Sequence, residues 1–386
     1  MAPASEASLG MDTLERRARL IESNTEELLT HDELIALLRS GTALRHYIGF
    51  EISGLVHLGS GLVCMAKVKD FVDAGAQCNV LLADWHTWIN DKLGGDREVI
   101  RRVATGYFPH ALRAGLRCVG ADPDTVNFVL ASDLYRHNDE YWATVIDVAK
   151  HTSLARMQRS ISILGRQEGE SVDFAKLIYP AMQAADIFAL HVNLAHAGID
   201  QRKAHVIARD VAPQMRINRL VDAAGQEIKP LAVHHPLILG LSKPPVWPVP
   251  AEGRRELLTA MKMSKSDPRS AVFIHDDPDT IRAKVSSAFC PPRDTFFNPV
   301  LDWFRRLVFE LGVSEVRLNR SERHGGDVTL HSYEELEAMF ESGALHPMDA
   351  KAALAEQLIE RLAPARSQFA TPEGKAMLED VRALIA

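Results

Sequence analysis

The sequence predicts an α/β fold, a doubly wound (Rossmann-like) parallel sheet domain followed by a helical C-terminal domain, on three observations. Apolar runs near 46–50, 78–83 and 125–131 alternate with helix-length segments near 59–74, 96–115 and 136–166, the pattern of parallel strands joined by crossover helices. From about residue 278 the pattern turns helical, through DTIRAKVSSAF, NPVLDWFRRLVFEL and HPMDAKAALAEQLIERL. Between these regions lies KPPVWPVPAEG at 243–253, whose prolines suit a surface insertion, and then a loop carrying KMSKS. The expected division is therefore 1–270 for the α/β domain, with its N-terminal helices and that loop, and 271–386 for the helical domain.

Taken in order, the lead is helical. Thr30 with Glu33 three positions on forms a capping box for 31–40, and Gly41 closes that helix. The run 46–75 reads strand, glycine-punctuated loop, helix. In the C-terminal region Ser332 and Glu335 form a second capping box, and Pro347 sits in a first helical turn.

With 386 residues, 46% hydrophobic and 25% charged, the chain can bury a sizeable core over about two to three domains. No uncharged apolar run approaches the roughly 20 residues that span a bilayer, and the first residues lack an apolar segment beside basic ones. A cytoplasmic protein without membrane contact is expected. Cys64, Cys78, Cys118 and Cys290 form no CxxC pair, which argues against a disulfide framework and a zinc site. A net charge of −7 offers no bulk positive field for nucleic acid, so such a partner must use local patches. The candidates are Arg156, Arg159 and Arg166, then Arg202 with Lys203, then Arg254, Arg255, Lys262, Lys265 and Arg269. Singly, each reads as an ordinary solvated face.

Three segments carry chemistry. HYIGFEISGLVHLGSGLVCMAKVKDFVDAG (46–75) sets His57, Gly59 and Ser60 at a helix mouth, where exposed N–H groups and the helix dipole favour phosphate, and Gly59 and Gly61 let it approach the backbone. Far downstream, Lys262-Met263-Ser264-Lys265-Ser266 holds two ammonium groups on a loop, suited to the charge that spreads over a pentacoordinate phosphate. The helix near 180–190 places Tyr179, Gln183, Asp186 and Leu190 on one face. A phenol, an amide and a carboxylate there need partners, because unpaired polar groups in a dry site are costly. An amino acid with a polar tail would supply them; a solvent-facing polar stripe is the plain alternative.

A HxGx turn followed by a literal KMSKS resembles the class I aminoacyl-tRNA synthetases, over about residues 20–370. Within that class the chain is most similar to the archaeal and eukaryotic tyrosyl enzymes. The likeness is carried by YIGFEISGLVHLG (47–59), LLADWH (81–86), IYPAMQAADI (178–187), GIDQRKAHVIARD (198–210) and HGGDVTLHSYEELEAMF (324–340). The resemblance implies a catalytic first domain, an anticodon-binding second domain and a homodimer. It implies that tyrosine attacks the α-phosphorus of ATP, which brings Mg2+ with it, and that the acyl group passes to the 3′ end of tRNA(Tyr). By resemblance, Tyr47 and Asp186 would hold the tyrosine hydroxyl, Tyr179, Gln183 and Gln201 its ammonium group with help from Glu51, and Leu81, Ala83, His86 and Leu190 would line the ring slot. The ATP ribose would lie on Asp200 and the adenine beside Gly49, Gly59 and Met263, with Ser264 close by. His57, Ser60, Lys262 and Lys265 would stabilise phosphoryl charge. Arg159, Arg202 and Lys203 would meet the tRNA acceptor end, and His324, His346 and Asp349 the anticodon; for His346 and Asp349 a helix cap is the plain alternative, and His86 alone reads equally as a satisfied core histidine.

One departure stands out. Ser60 occupies the place of the family's usual second histidine, leaving His57 as the sole imidazole of the turn, although a hydroxyl can still donate. Rival readings are a tryptophan–tRNA ligase, against which Tyr47 and Asp186 suit a phenol better than an indole, and a non-activating RNA-binding paralogue, against which KMSKS is intact. A nucleotidyltransferase sharing only the HxGx turn would leave KMSKS unexplained.

Overall fold

The apolar runs of the first half become strands of one sheet in a computed structural model of the chain. The structure describes residues 6–166, 170–250, 257, 258, 260–264 and 267–385. The strands are β1 (Glu27–Leu29), β2 (Arg45–Phe50), β3 (Gln77–Leu82), β4 (Val126–Leu130), β5 (Leu194–Gly198) and β6 (Leu231–His235). Their order is β1-β6-β5-β2-β3-β4, parallel throughout except for β1, which runs antiparallel to β6. β3 and β4 are laid down on one side of β2, and β5 and β6 on the other. A crevice therefore opens beyond the carboxyl ends of β2 and β5, where ligands bind in folds of this kind.

β5 and β6 are fully buried yet read LAHAG and LAVHH, with three histidines among ten residues. Two of them join His46 of β2 in a chain, His46 Nε2 lying 3.1 Å from His196 Nδ1 and His196 Nε2 2.8 Å from His235 Nδ1, while His234 lies 3.1 Å from His205 Nδ1 and 3.0 Å from Glu27 Oε2. Burial pushes His46 down to about 3 and His235 down to about 4, so these are neutral rings in a sheet interior.

The first capping box is present in full over the helix His31–Arg39, with the Glu33 N–H donating to Thr30 Oγ1 at 3.3 Å and the Thr30 N–H to Glu33 Oε2 at 3.2 Å. Only half of the second forms. Ser332 accepts from the Glu335 N–H at 3.2 Å, but Glu335 Oε2 accepts from the His331 N–H instead of from the cap residue. The expected helix at 96–115 is two helices, Arg97–Thr105 and Tyr107–Cys118, parted at Gly106. The segment 136–166 likewise divides into Asp139–Lys150 and Leu154–Ser160, the second capped by Ser153.

The second half is helical, but it also holds a two-stranded antiparallel sheet, β7 (Val316–Leu318) with β8 (Val328–Leu330). Strands this short leave no periodic signal. The two halves interlock: Gln368 Nε2 donates to the His110 carbonyl at 2.8 Å, and the Tyr107 and Phe369 rings lie 5.7 Å apart. The described part of the Pro-rich stretch is not simply a surface insertion, because Val249 is buried and Trp247 packs on Phe289 at 4.9 Å. Among the described residues no helix is long and apolar enough to cross a membrane.

Candidate active site

The carboxyl ends of β2 and β5 and the start of the helix after β2 open onto a cleft of about 970 Å³. One wall is the helix Phe174–Ala189, capped by Asp173. Its face carrying Tyr179, Gln183 and Asp186 turns into the cleft, so the solvent-stripe alternative fails. Asp186 is 1% exposed, with Oδ1 accepting from the hydroxyls of Tyr135 at 2.8 Å and Tyr141 at 3.0 Å, and Oδ2 lying 3.8 Å from His86 Nε2. Burial pushes this carboxyl up to about 8, against the pull of both phenol donors. The same burial pushes His86 down to about 3, so its imidazole is neutral. Tyr47 comes in from β2 beside them, its phenol raised by burial and then by the Asp186 charge. Leu81 and Ala83, at the end of β3, complete an apolar slot. Leu190 does not join it: as the residue ending the helix it packs against the apolar cluster beneath.

Seven residues, roughly 10 Å of helix axis, separate Asp186 from Tyr179. There the Tyr179 hydroxyl donates to Glu51 Oε1 at 2.8 Å, and Asn90 Nδ2 donates to the same oxygen at 2.9 Å. Gln183 Nε2 donates to Gln201 Oε1 at 3.3 Å, and Gln201 Nε2 to the Ile163 carbonyl at 3.0 Å. Gln183 Oε1 and both ring nitrogens of His86 are buried with no hydrogen-bond partner among the described residues. Such atoms destabilise a fold unless a ligand completes them. The cleft thus offers acceptors for a cation at one end and a buried carboxyl at the other, with an uncharged slot between.

The nucleotide half joins two segments remote in sequence. Residues 56–58 pair with 272–274, the Leu58 N–H donating to Val272 O at 3.1 Å and the Ile274 N–H to Val56 O at 3.0 Å. On the other flank of the loop, the Met263 N–H donates to Ile238 O at 2.8 Å. Gly59 opens a π turn, Gly59–Val63, that feeds the helix Cys64–Asp73. His57 Nδ1 accepts from the Gly59 N–H at 3.1 Å, and a Cβ on Gly59 would stand 2.9 Å from that ring, so only glycine seats the imidazole there. Gly49 similarly leaves room for the Tyr47 hydroxyl, 3.3 Å from where its Cβ would be. Ser60 lines the cleft, but Gly61 does not serve phosphate: it is buried, and its Cβ would meet Ile274 Cδ1 at 2.8 Å. Lys262, Met263 and Ser264 reach the cleft, while Lys265 lies outside the described residues. The Lys262 ammonium is ion-paired with Asp200, just past β5.

Residues 39–363 match the family model of class I tRNA synthetases for tryptophan and tyrosine. The chain is 52% identical over 372 residues to a tyrosine–tRNA ligase of Thermococcus sibiricus, covering 96% of this chain and 99% of that one. The chain belongs to the tyrosyl-tRNA synthetase family of class I. It is 51% identical over 374 residues to a tyrosine–tRNA ligase of Pyrococcus abyssi, with the same coverage of 96% and 99%. A solved tyrosyl-tRNA synthetase from Pyrococcus horikoshii, complexed with L-tyrosine, superposes at a TM-score of 0.93 and 51% identity over 96% of this chain and 99% of that one. A tryptophanyl-tRNA synthetase from Aeropyrum pernix shares the fold alone, at a TM-score of 0.64 and 17% identity, over 98% of this chain and 92% of that one.

The tRNA candidates of this synthetase chain lie apart from the cleft. Arg159 and Lys203 share an exposed edge, where Lys203 Nζ donates to the Arg159 carbonyl at 2.7 Å. Arg202 is engaged elsewhere: its Nε bonds both carboxylate oxygens of Glu27, at 2.9 and 2.8 Å. His346 takes the plain role of a cap, its Nδ1 accepting from the Met348 N–H at 3.2 Å, and Asp349 follows in the first turn. His324 ends a short 3-10 turn, and its side chain lies outside the description. Tyr135, Tyr141 and Asn90 were not legible in the sequence. A buried carboxylate on the helix Phe174–Ala189 demands donors, but no spacing says that a neighbouring helix provides them as phenols.

Proposed function

We infer that this chain activates tyrosine with ATP to tyrosyl-adenylate and transfers the acyl group to the 3′ end of tRNA(Tyr). One observation supports this above the others: the Tyr179, Gln183 and Asp186 face and the HLGS turn open into a single cleft, with Lys262 on its rim. Glu51, Tyr179, Gln183 and Gln201 hold the substrate ammonium, and Asp186 with Tyr47 receives the phenol hydroxyl. The ring lies in the slot of Leu81, Ala83 and His86.

The substrate carboxylate is already ionised and is itself the nucleophile. Its oxygen forms a bond to the α-phosphorus as the bond to the pyrophosphate oxygen breaks, so the protein needs no covalent intermediate. What its residues supply is position and charge. His57 and Ser60 stand at the helix mouth for the phosphates, with the magnesium ion brought by ATP, and Asp200 receives the ribose hydroxyls. Engagement of Asp200 by the ribose frees Lys262 to follow the charge that develops on the leaving pyrophosphate, beside Lys265 of the same loop. Ser60 replaces an imidazole donor with a hydroxyl donor and leaves this division of labour intact.

In the second step the terminal tRNA ribose attacks the acyl carbon and AMP leaves. Arg159, Lys203 and Arg202 are proposed for the acceptor end, and His324, His346 and Asp349 for the anticodon. A cytoplasmic homodimer fits the family, and Ile146 and Leu154, both well exposed on neighbouring helices, supply apolar surface for it. The test is ATP–pyrophosphate exchange with each amino acid in turn, followed by charging of a tRNA(Tyr) transcript. Exchange should require tyrosine. Exchange driven best by tryptophan, or by none, would overturn the reading.

A further inference from the structure

Lys262 and Met263, which open the KMSKS segment, are gripped from the C-terminal half of the chain, through a residue that no motif marks. Leu239 lies opposite Lys262 in an isolated antiparallel bridge. On either side of that bridge the Met263 N–H donates to Ile238 O, and the Gly240 N–H to Met261 O, each at 2.8 Å. This ladder fixes the backbone from which the Lys262 side chain departs. Leu239 itself uses its remaining backbone polar groups outside the ladder. Its N–H donates to Asp302 Oδ2 at 2.9 Å, and its carbonyl accepts from the Trp303 indole Nε1 at 2.8 Å. Two successive side chains of one helix thus hold both polar atoms of a single residue.

That helix is a firm anchor. It begins at Pro299, is capped by Asn298 Oδ1 accepting from the N–H groups of Val300 at 3.1 Å and Leu301 at 3.3 Å, and runs into the π turn Phe304–Phe309. Trp303 is completely buried, and Arg306 lies 4.0 Å from the Asp302 carboxylate. The same helix packs on the helix Pro347–Arg361, which His346 caps. An indole N–H and a carboxylate aimed at a loop carbonyl and N–H exceed what apolar packing requires. They set the height of the strand across from the lysine.

We propose that Asp302 and Trp303 are positioning residues for Lys262, holding Leu239 so that the lysine backbone is placed for adenylate formation. The proposal rests on the role given to Lys262 above. Neither residue touches substrate; both act through the bridge, so their loss should slow the chemical step while leaving the tyrosine pocket unchanged.

The experiment measures single-turnover adenylate formation and tyrosine binding for Trp303→Phe, Asp302→Ala, Asp302→Asn and Lys262→Ala, and for Trp303→Phe and Asp302→Ala each combined with Lys262→Ala. Trp303→Phe and Asp302→Ala should each slow adenylate formation by about tenfold or more with tyrosine affinity within about twofold of wild type. Asp302→Asn, which keeps an oxygen acceptor for the Leu239 N–H, should stay near wild type. In the Lys262→Ala background the same substitutions should add little further loss, since residues acting through one group are not additive. If Lys262→Ala alone forms adenylate at the wild-type rate, the role of the lysine fails, and the positioning claim with it. If Lys262→Ala is slow but Trp303→Phe and Asp302→Ala are not, or if their losses multiply with that of the lysine, the positioning claim is overturned while the lysine's role survives. Should Trp303→Phe fail to fold, shown by loss of tyrosine binding, the contrast between Asp302→Ala and Asp302→Asn decides the matter.

Discussion

Asp186 is a group whose ionisation the fold opposes, and two consequences follow from its surroundings. Its carboxyl stands raised to about 8 from an ordinary value near 4, chiefly through burial. Between those limits the folded chain binds a proton that the unfolded chain has released, so this residue's contribution to stability falls as pH rises from about 4 to about 8. Asp186→Asn keeps an oxygen for the hydroxyls of Tyr135 and Tyr141 and removes the titration. Its stability relative to wild type should therefore grow across that window, by a few kcal/mol at most. Urea denaturation of both proteins at pH 5, 6.5 and 8 reads this, and a difference that does not change with pH would show that Asp186 is solvated. The second consequence concerns specificity. Phenylalanine does not leave Asp186 as a bare buried charge, because Oδ1 already carries two phenol donors. Its penalty is the one partner missing on the substrate side, and a buried polar group left without its partner costs about 1–3 kcal/mol. Asp186→Ala should accordingly lose about tenfold to a hundredfold of the preference for tyrosine over phenylalanine, measured as the ratio of kcat/KM in pyrophosphate exchange. Tyr47→Phe, which removes one neutral hydrogen bond, should lose about tenfold or less. Unchanged discrimination in Asp186→Ala would move the phenol elsewhere.

The glycine contact between the π turn Gly59–Val63 and the helix Tyr107–Cys118 decides how an element reaches the site. A Cβ on Gly115 would stand 2.1 Å from the Gly61 carbonyl oxygen, which is backbone and cannot turn away. A Cβ on Gly61 would meet the tip of Ile274 at 2.8 Å and Val56 at 3.2 Å, which are side chains. Gly115→Ala should thus destabilise by about 3 kcal/mol or more, with no relief from Ile274→Val, whereas Gly61→Ala should be milder and partly rescued by Ile274→Val. Chemical denaturation of the four variants tests this; equal rescue of both alanines would mean that the backbones are not in contact. The contact also marks where sequence reading stops. β3 and β4 were legible because Val and Leu crowd them, β2 because Tyr47, Ile48 and Phe50 bunch there, and the turn with His57 and Gly59 because glycine punctuates a strand-to-helix step. β5 and β6 were hidden by histidines that find their partners only once the sheet has formed. Gly61 looked like a phosphate glycine because spacing cannot tell a glycine that admits a ligand from one that admits a helix. Tyr179, Gln183 and Asp186 were legible from helical period alone, whereas Leu190, one turn on, lay past the helix end.

At the scale of the molecule, the expected division near residue 270 is a change of secondary structure more than a break in packing. Ile21, Phe108, Ile274, Trp303, Phe340 and Val381 all belong to one continuous apolar cluster. The chain leaves the KMSKS loop to pair 272–274 with 56–58 before its next helix, Pro278–Ser287, begins. The C-terminal helix Pro372–Ile385 then returns to the catalytic half, where Leu384 and Ile385 line the cleft and Ile385 lies 3.8 Å from where a Cβ on Gly54 would be. Chains of this length commonly unfold in stages, domain by domain. Shared core predicts otherwise here. Trp85, Trp88 and Trp142 lie in the sheet half, Trp247 beside the loop and Trp303 in the helical half, so indole fluorescence reports on both while far-UV circular dichroism follows the backbone. Urea should unfold the chain in one transition with coincident midpoints by the two probes. Saturating tyrosine, bound only by the folded cleft, should move both midpoints together, since mass action stabilises whatever unfolds as a unit with the site. Replacing Phe369 with aspartate, on the helical side of the Tyr107 and His110 contact, should lower both midpoints by the same amount. Two separated transitions, only one of them shifted by tyrosine, would show that the halves fold independently and that the interlock seen at Tyr107 and Gln368 is a docking contact rather than a common core.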